Sequence, residues 1–323
     1  MDAIRIQALS KQYGNKRAVD NLTMNVPQGA IYGFVGKNGA GKSTVLKMVA
    51  GLVTPTNGEI TLFGRRDHAV ANGKRTVSAT NNTGVQRVGA LIENPGLLPH
   101  MNAFDNLMVQ ALAIGVANPK TVCHELLAQV GLDNTGRKAV SGFSLGMKQR
   151  LGIALALVGN PDLLLLDEPL NGLDPEVART MRNYLVQLNQ QRGITIVVSS
   201  HVLDQLERMC THYGVIARGH MTREMTAEQV QTECGDSLTV RTTDTATALA
   251  ILEERLSVNP ADPVRFAAEP DGSITVSGGF DAAEVSRLLH ETNQTVLELS
   301  AQSRDMEDYF VALMDDARTE GSR

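Results

Sequence analysis

The stretch Gly36-Lys37-Asn38-Gly39-Ala40-Gly41-Lys42-Ser43-Thr44 decides how the rest of the chain reads. It follows an apolar run, Ala30 to Val35, which predicts a buried strand, and precedes Thr44 to Ala50, which predicts a helix stopped by Gly51. Strand, glycine-rich loop and helix are the context a phosphate-binding loop needs. Glycines at 36, 39 and 41 let the backbone close around a phosphate with no Cβ in the way. Lys37, Asn38 and Ala40 complete the loop, and its N–H groups and the helix N-terminus offer partial positive charge to an anion. Lys42 supplies a mobile ammonium for the outer phosphates, and the Ser43 hydroxyl can ligate Mg²⁺.

The 323 residues suffice for one large domain and a small one, or for two medium ones. A hydrophobic content of 42% and a charged content of 20% fit a soluble globular protein. The net charge of −5 gives no indication of a general nucleic-acid surface. Cys123, Cys210 and Cys234 are odd in number and far apart, so they form neither a metal-spaced set nor a disulfide framework. No apolar run approaches the length of a membrane span, and MDAIRIQALS lacks the features of a secretory signal. The protein is expected not to cross a membrane by itself, although a partner could hold it against one.

Before the loop, Ile4, Ile6 and Ala8 alternate with polar residues, as do Leu22, Met24 and Val26. This predicts an antiparallel β-layer, with Ser10 to Asn15 as a turn. Tyr13 sits where a ring could stack on a base, and an ordinary surface tyrosine fits that position equally well. Past Phe63, residues 64–86 are polar and lack periodicity, which predicts a surface excursion and leaves its order open. Val88 to Ile92 predicts a strand ended by Glu93-Asn94-Pro95. A carboxylate there could serve a metal or water, and a solvated loop glutamate is the simpler reading for Glu93 alone. Asn102 to Gly159 is mostly helical by its apolar spacing. Ser144 opens its last helix, as an N-cap or as part of an anion site.

The second chemical cluster is Asp162-Leu163-Leu164-Leu165-Leu166-Asp167-Glu168-Pro169. Four consecutive leucines predict a strand buried on both faces, as in a parallel sheet. Active groups of such sheets lie at strand C-terminal ends. Asp167 is therefore a candidate Mg²⁺ ligand, and Glu168 a candidate to polarise a water attacking the γ-phosphate. Gly193 to Ser200 predicts another buried strand, and His201 at its end becomes a candidate γ-phosphate contact.

Together these residues resemble the ATP-binding subunit of ABC transporters, over about residues 3–222. Walker A matches Gly36 to Thr44, Walker B matches Leu163 to Asp167, and Glu168 follows it. The signature matches Phe143-Ser144-Leu145-Gly146-Met147, the D-loop Asn171 to Asp174, the switch histidine His201 and the A-loop aromatic Tyr13. The resemblance implies an α/β fold: a P-loop ATPase with a RecA-like core, an antiparallel β-layer and a helical subdomain at about 94–160. It implies ATP and Mg²⁺ as cofactors, with Ser43, Asp167 and Glu93 as metal ligands. Two departures stand out. The usual LSGGQ signature is FSLGM here, which keeps Ser144 and Gly146, and the usual Q-loop glutamine is Glu93. The pattern GALIENP looks like the bacitracin- and lantibiotic-exporter branch.

In that family the signature of one subunit completes the site of another across two ATP molecules. Ser144 and Gly146 are then expected to act on a nucleotide held by a second copy's Lys42. A short cytoplasmic helix of an integral-membrane permease is expected on the helical region. The chain is thus expected to be cytoplasmic and peripheral on the inner face of the cell membrane, powering export of a peptide antibiotic or similar amphiphile.

Residues 223–323 read separately. Their strands and helices follow the order β-α-β-β-α-β, which suggests a small ferredoxin-like α+β domain, followed by a helix from Met306 to Asp315. No catalytic constellation occurs there, and a regulatory, dimer-stabilising or merely solubilising role fits. Two other function classes compare less well. A soluble ABC ATPase acting on ribosomes or DNA is expected to carry a second ATPase unit or a long coiled coil. A kinase or GTPase leaves the signature and His201 unexplained.

Overall fold

The computed structural model describes residues 1–71, 74–76, 87–234, 236–256, 264–303 and 306–316. The chain divides into two compact units, Met1–Thr226 with Leu313–Arg323, and Ala227–Ala312. Along residues 1–226 the elements are β1 (Asp2–Tyr13), β2 (Lys16–Pro27), β3 (Ile31–Val35), α1 (Lys42–Val49), β4 (Asn57–Leu62), β5 (Arg65–Ala71) and β6 (Lys74–Thr76). Then come β7 (Val88–Leu91), α2 (Ala103–Ala113), α3 (Pro119–Gln129), α4 (Leu145–Leu157), β8 (Leu163–Asp167) and α5 (Pro175–Arg192). The run closes with β9 (Thr195–Ser200), α6 (Asp204–Glu207), β10 (His212–Ala217) and β11 (His220–Thr226).

A six-stranded sheet with order β11-β10-β3-β9-β8-β7 forms the frame. Its strands are parallel except β11, which returns antiparallel beside β10. Every residue of β3, β8 and β9 is buried, as the leucine and valine runs require of a sheet covered on both faces. A second, antiparallel sheet has the order β2-β1-β4-β5-β6. Ile4 and Ile6 of β1 and Leu22, Met24 and Val26 of β2 pack with Val45, Leu46 and Met48 of α1 and with Phe34, Leu163, Leu165 and Val197 of the first sheet. Each such side chain contributes about 1.5–3 kcal/mol on burial, so this layer anchors α1 and the loop before it.

One expectation is corrected, and one left open is filled in. Ser10 to Tyr13 belong to β1, and only Gly14-Asn15 form the turn, because Gln12 and Tyr13 still pair with Arg17 and Lys16 across the hairpin. In the polar stretch 64–86, residues 65–71 and 74–76 are strands, and 72–73 and 77–86 lie outside the described residues. Backbone pairing with β4 makes β5 a strand although its side chains show no apolar alternation.

The helix α4 lies close to the edge strand β7. A Cβ at Gly89 would stand 2.1 Å from the Ala156 carbonyl oxygen, and one at Gly152 would stand 2.5 Å from Pro95 Cβ and 2.8 Å from Leu91 Cδ1. One glycine on each side of the contact lets helix and strand meet at backbone distance. Asn106 of α2 is buried and clamps the segment after β7. It accepts from Leu98 N at 2.8 Å and donates to the carbonyls of Leu98 and Asn102 at 3.1 and 2.9 Å.

The elements that follow are α7 (Ala227–Cys234), β12 (Asp236–Thr242), α8 (Thr245–Leu256), β13 (Arg265–Ala268), β14 (Ile274–Ser277), α9 (Ala282–Glu291), β15 (Val296–Ser303) and α10 (Met306–Asp316). Four of them form an antiparallel sheet, β13-β14-β12-β15. Numbered within the unit, that order is 2-3-1-4, the arrangement of a ferredoxin-like sheet. Its core is Leu238 and Val240 of β12 and Ile274 and Val276 of β14, with Ala248 and Leu252 of α8 and Val285 and Leu289 of α9. The three cysteines are buried, and burial raises the pKa of the Cys123 and Cys210 thiols.

The α4–β7 contact gives a stability test. Gly89→Ala forces a methyl into the Ala156 carbonyl and is expected to cost about 1–3 kcal/mol, seen as a lower thermal midpoint. Gly142→Ala, whose Cβ would meet only Lys138 Cε at 3.4 Å, is expected to leave the midpoint nearly unchanged.

Candidate functional site

The parallel register brings the candidate residues to one end of the sheet. Val35, the last residue of β3, lies opposite Ser200 of β9, and Asp167, the last of β8, lies opposite Ser199. The glycine-rich loop leaves β3 at this level and enters α1 directly. Gly41 caps α1 at φ +114 with no side-chain hydrogen bond, so the helix N-terminus stays open. A Cβ there would lie 2.7 Å from the Ala18 carbonyl oxygen, which adds a steric reason for glycine. Lys37, Asn38 and Gly39 are exposed, Gly36, Ala40 and Lys42 are buried, and Ser43 and Thr44 are half-buried in the first turn.

Lys42 is the buried cation of the site, 5% exposed. Its ammonium donates to the carbonyl oxygens of Gly36 at 2.5 Å and Lys37 at 3.4 Å, and lies 3.6 Å from Glu168 Oε1. Burial lowers its pKa, and the carboxylates of Glu168 and Asp167 oppose that shift. The loop thus holds Lys42 on two of its own backbone oxygens. Lys37 pairs with Asp315 at 2.7 Å.

Asp167 and Glu168 are adjacent but differently held. Asp167 is buried, and its Oδ1 accepts a 2.5 Å hydrogen bond from the Ser199 hydroxyl. Glu168 takes a left-handed backbone conformation, φ +48, just past the end of β8. Its N–H donates to Ser199 O at 3.2 Å and to Ser199 Oγ at 3.0 Å. Its Oε2 lies 2.7 Å from His201 Nδ1 and accepts from Asn171 Nδ2 at 3.3 Å. Lys42, Glu168, His201, Asp167 and Ser199 therefore form one connected network. Sequence reading found four of these five. Ser199 was missed, because a serine in a valine-rich strand carries no signal until the register sets it against Asp167.

The other candidates lie outside this network. Glu93, at φ +59, pairs with Lys47 at 2.5 Å. Ser43 and Lys47 are four residues apart on one face of α1, so the ion pair ties Glu93 to the face that carries Ser43. Tyr13 is 47% exposed, and the Lys11 ammonium stands 4.9 Å from its ring centroid. Ser144 is the N-cap of α4 and accepts from Met147 N at 3.2 Å. It is exposed and Gly146 is half-buried.

Ser199 offers a direct check of the network. Ser199→Ala removes the donor to a buried carboxylate and is expected to cost about 1.5–3 kcal/mol, the usual range for a hydrogen bond to a charged group. Urea unfolding of the variant beside the native chain measures it, and Ser200→Ala, whose hydroxyl turns to Val202, serves as the control.

The ABC transporter family model matches residues 19–171. The bacitracin transport ATP-binding protein BcrA of Bacillus licheniformis is 36% identical over 312 residues, covering 96% of this chain and 97% of that protein. The lantibiotic transport ATP-binding protein SrtF of Streptococcus pyogenes is 38% identical over 221 residues, covering 68% of this chain and 90% of that one. A solved ATP-binding subunit of an ABC transporter superposes with a TM-score of 0.61 at 26% identity, covering 72% of this chain and 93% of the other. On the phosphate loop, the carboxylate-tipped strand and relatives matched along nearly their whole length, the chain belongs to the ATP-binding proteins of ABC transporters.

Proposed function

We propose that this chain binds and hydrolyses ATP to drive a separate membrane permease that exports a peptide antibiotic or a similar amphiphile. The observation that carries the chemistry is the meeting of Lys42 and Glu168, 3.6 Å apart, at the open N-terminus of α1. Bacitracin and lantibiotic transport in the relatives' names support the cargo class. No helix among the described residues is long and apolar enough to cross a membrane, and the relatives' names as ATP-binding proteins of transport systems support a separate permease with this chain peripheral on the inner membrane face.

The roles follow from the geometry. The N–H groups of Gly36 to Thr44 cradle the phosphates, and Lys42 exchanges its two carbonyl partners for the outer phosphate oxygens. Tyr13 offers its ring to the adenine. Ser43 and Asp167 are hard oxygen donors of the kind Mg²⁺ prefers, and Glu93, held beside the same helix, is a further candidate. When bound, Mg²⁺ neutralises charge on the phosphates. Glu168 orients and polarises the attacking water, and His201 fixes its carboxylate. Ser144 and Gly146 of a second copy complete the phosphate shell, so loss of the γ-phosphate releases the pair.

Residues 1–222 serve as the ATPase domain, with 94–160 as its helical part, and 223–323 as an accessory domain. A groove of about 1680 Å³ lies in the helical part, lined by Leu91, Pro95, Leu98, Val109, Ile114 and Leu126. Val109 and Ile114 of this lining are 45% and 50% exposed, apolar surface that suits a short permease helix.

Glu168→Gln is expected to bind ATP, to lose at least about a hundredfold in turnover, and to accumulate as a closed dimer in size-exclusion chromatography with ATP. Normal turnover by this variant would remove Glu168 from the role assigned to it. Mixing copies carrying Ser144→Ala with copies carrying Lys42→Ala is expected to recover ATP hydrolysis that neither shows alone. No recovery at any ratio would refute the shared site. Copurification with a polytopic membrane protein from the native cell tests the permease, and a chain that stays soluble and unattached there speaks against it.

A further inference from the structure

The first turn of α4 and the loop Asn171 to Asp174 are fitted together inside one chain. A Cβ at Gly172, which sits at φ +72, would stand 2.7 Å from Leu145 Cδ2 and 3.6 Å from its Cγ. A Cβ at Gly146 would stand 3.1 Å from Leu173 Cδ2. Leu145 therefore fills the hollow left by one glycine, and Leu173 approaches the other. Leu145 is otherwise 65% exposed. One turn further along α4, Gln149 Nε2 donates to the Glu168 carbonyl oxygen at 3.2 Å. At the start of the loop, Asn171 N donates to the same carbonyl at 3.2 Å, and Asn171 Nδ2 donates to Glu168 Oε2 at 3.3 Å.

We infer that Leu145 is a positioning residue for hydrolysis: seated on Gly172, it fixes the turn from which Asn171 holds the Glu168 carboxylate. The inference rests on the proposed role of Glu168. The chain of contact is short. The leucine covers residue 172, the asparagine is residue 171, and its amide meets the carboxylate oxygen. Among the described residues, the loop's backbone hydrogen bonds are Asn171 N to Glu168 O, a 3.4 Å bond from Leu173 N to Leu170 O, and Ala178 N to Asp174 O at 2.8 Å, which ties only its far end to α5. The substitution of a leucine for the usual first glycine of the signature is then not a defect. It supplies the side chain that the glycine of this loop is shaped to receive. The serine that faces the second copy's nucleotide is the residue just before Leu145. A shift of Ser144 on engaging that nucleotide would therefore bear on the Glu168 of its own chain.

The test is a double-mutant cycle in the full chain. Leu145→Ala and Asn171→Ala are each expected to lower kcat for ATP hydrolysis about fivefold to tenfold, with KM for ATP within about twofold of native, the pattern of an interaction made only in the transition state. The double variant is expected to be no slower than the worse single one, because both act through one carboxylate. Leu145→Met, which still fills the hollow, is expected to keep at least about half the native kcat. Thermal midpoints accompany the series, and the exposure of Leu145 makes its truncation tolerable to the fold. A native kcat in Leu145→Ala, a raised KM with kcat unchanged, multiplying losses in the double variant, or a Met variant as slow as the Ala variant would each overturn the inference. Failure of the underlying reading looks different: the native chain itself would not hydrolyse ATP.

Discussion

A buried ammonium must be compensated, and the site is arranged around that requirement at Lys42. With 5% of its surface exposed, its charge would be prohibitive without partners. Two loop carbonyls and the Glu168 carboxylate supply them. That places demands on the frame. The strand carrying Glu168 must end level with the strand that feeds the loop, and the level register of β3, β9 and β8 meets this demand. The antiparallel layer and α1 share one apolar core with that sheet, so the loop cannot drift from the carboxylates without breaking it. The arrangement is also provisional in a useful sense. Two of the three partners of Lys42 are neutral oxygens, the kind of contact that the proposed phosphate would replace.

Much of this was legible in the sequence because the determinants are local. The glycine spacing, the apolar run before it and the helix after it define a phosphate loop without knowledge of the fold. Four leucines followed by two acids define a buried strand tip. The second unit was legible for a related reason: its strands and helices are short, separated by turn residues such as Pro270-Asp271-Gly272, and alternate in a simple order.

The rest was not legible because it depends on residues brought together from afar. Ser199 acts through a pairing 32 residues away, and only the register reveals it. Asn106 looks like one more polar residue of an amphipathic helix, yet its amide closes three bonds that shape the groove wall. β5 has no apolar alternation to mark it, since its place is set by backbone pairing at the outer part of a sheet. The seat of Leu145 on Gly172 joins two motifs that sequence reading treats as separate.

The sheltered cysteines have a consequence for regulation. Thiol oxidation and disulfide exchange begin from a thiolate that solvent can reach. All three thiols of this chain are buried, and two are held in the protonated form by their apolar surroundings. Burial thus works against both requirements of thiol oxidation, solvent access and thiolate formation, for as long as the chain stays folded.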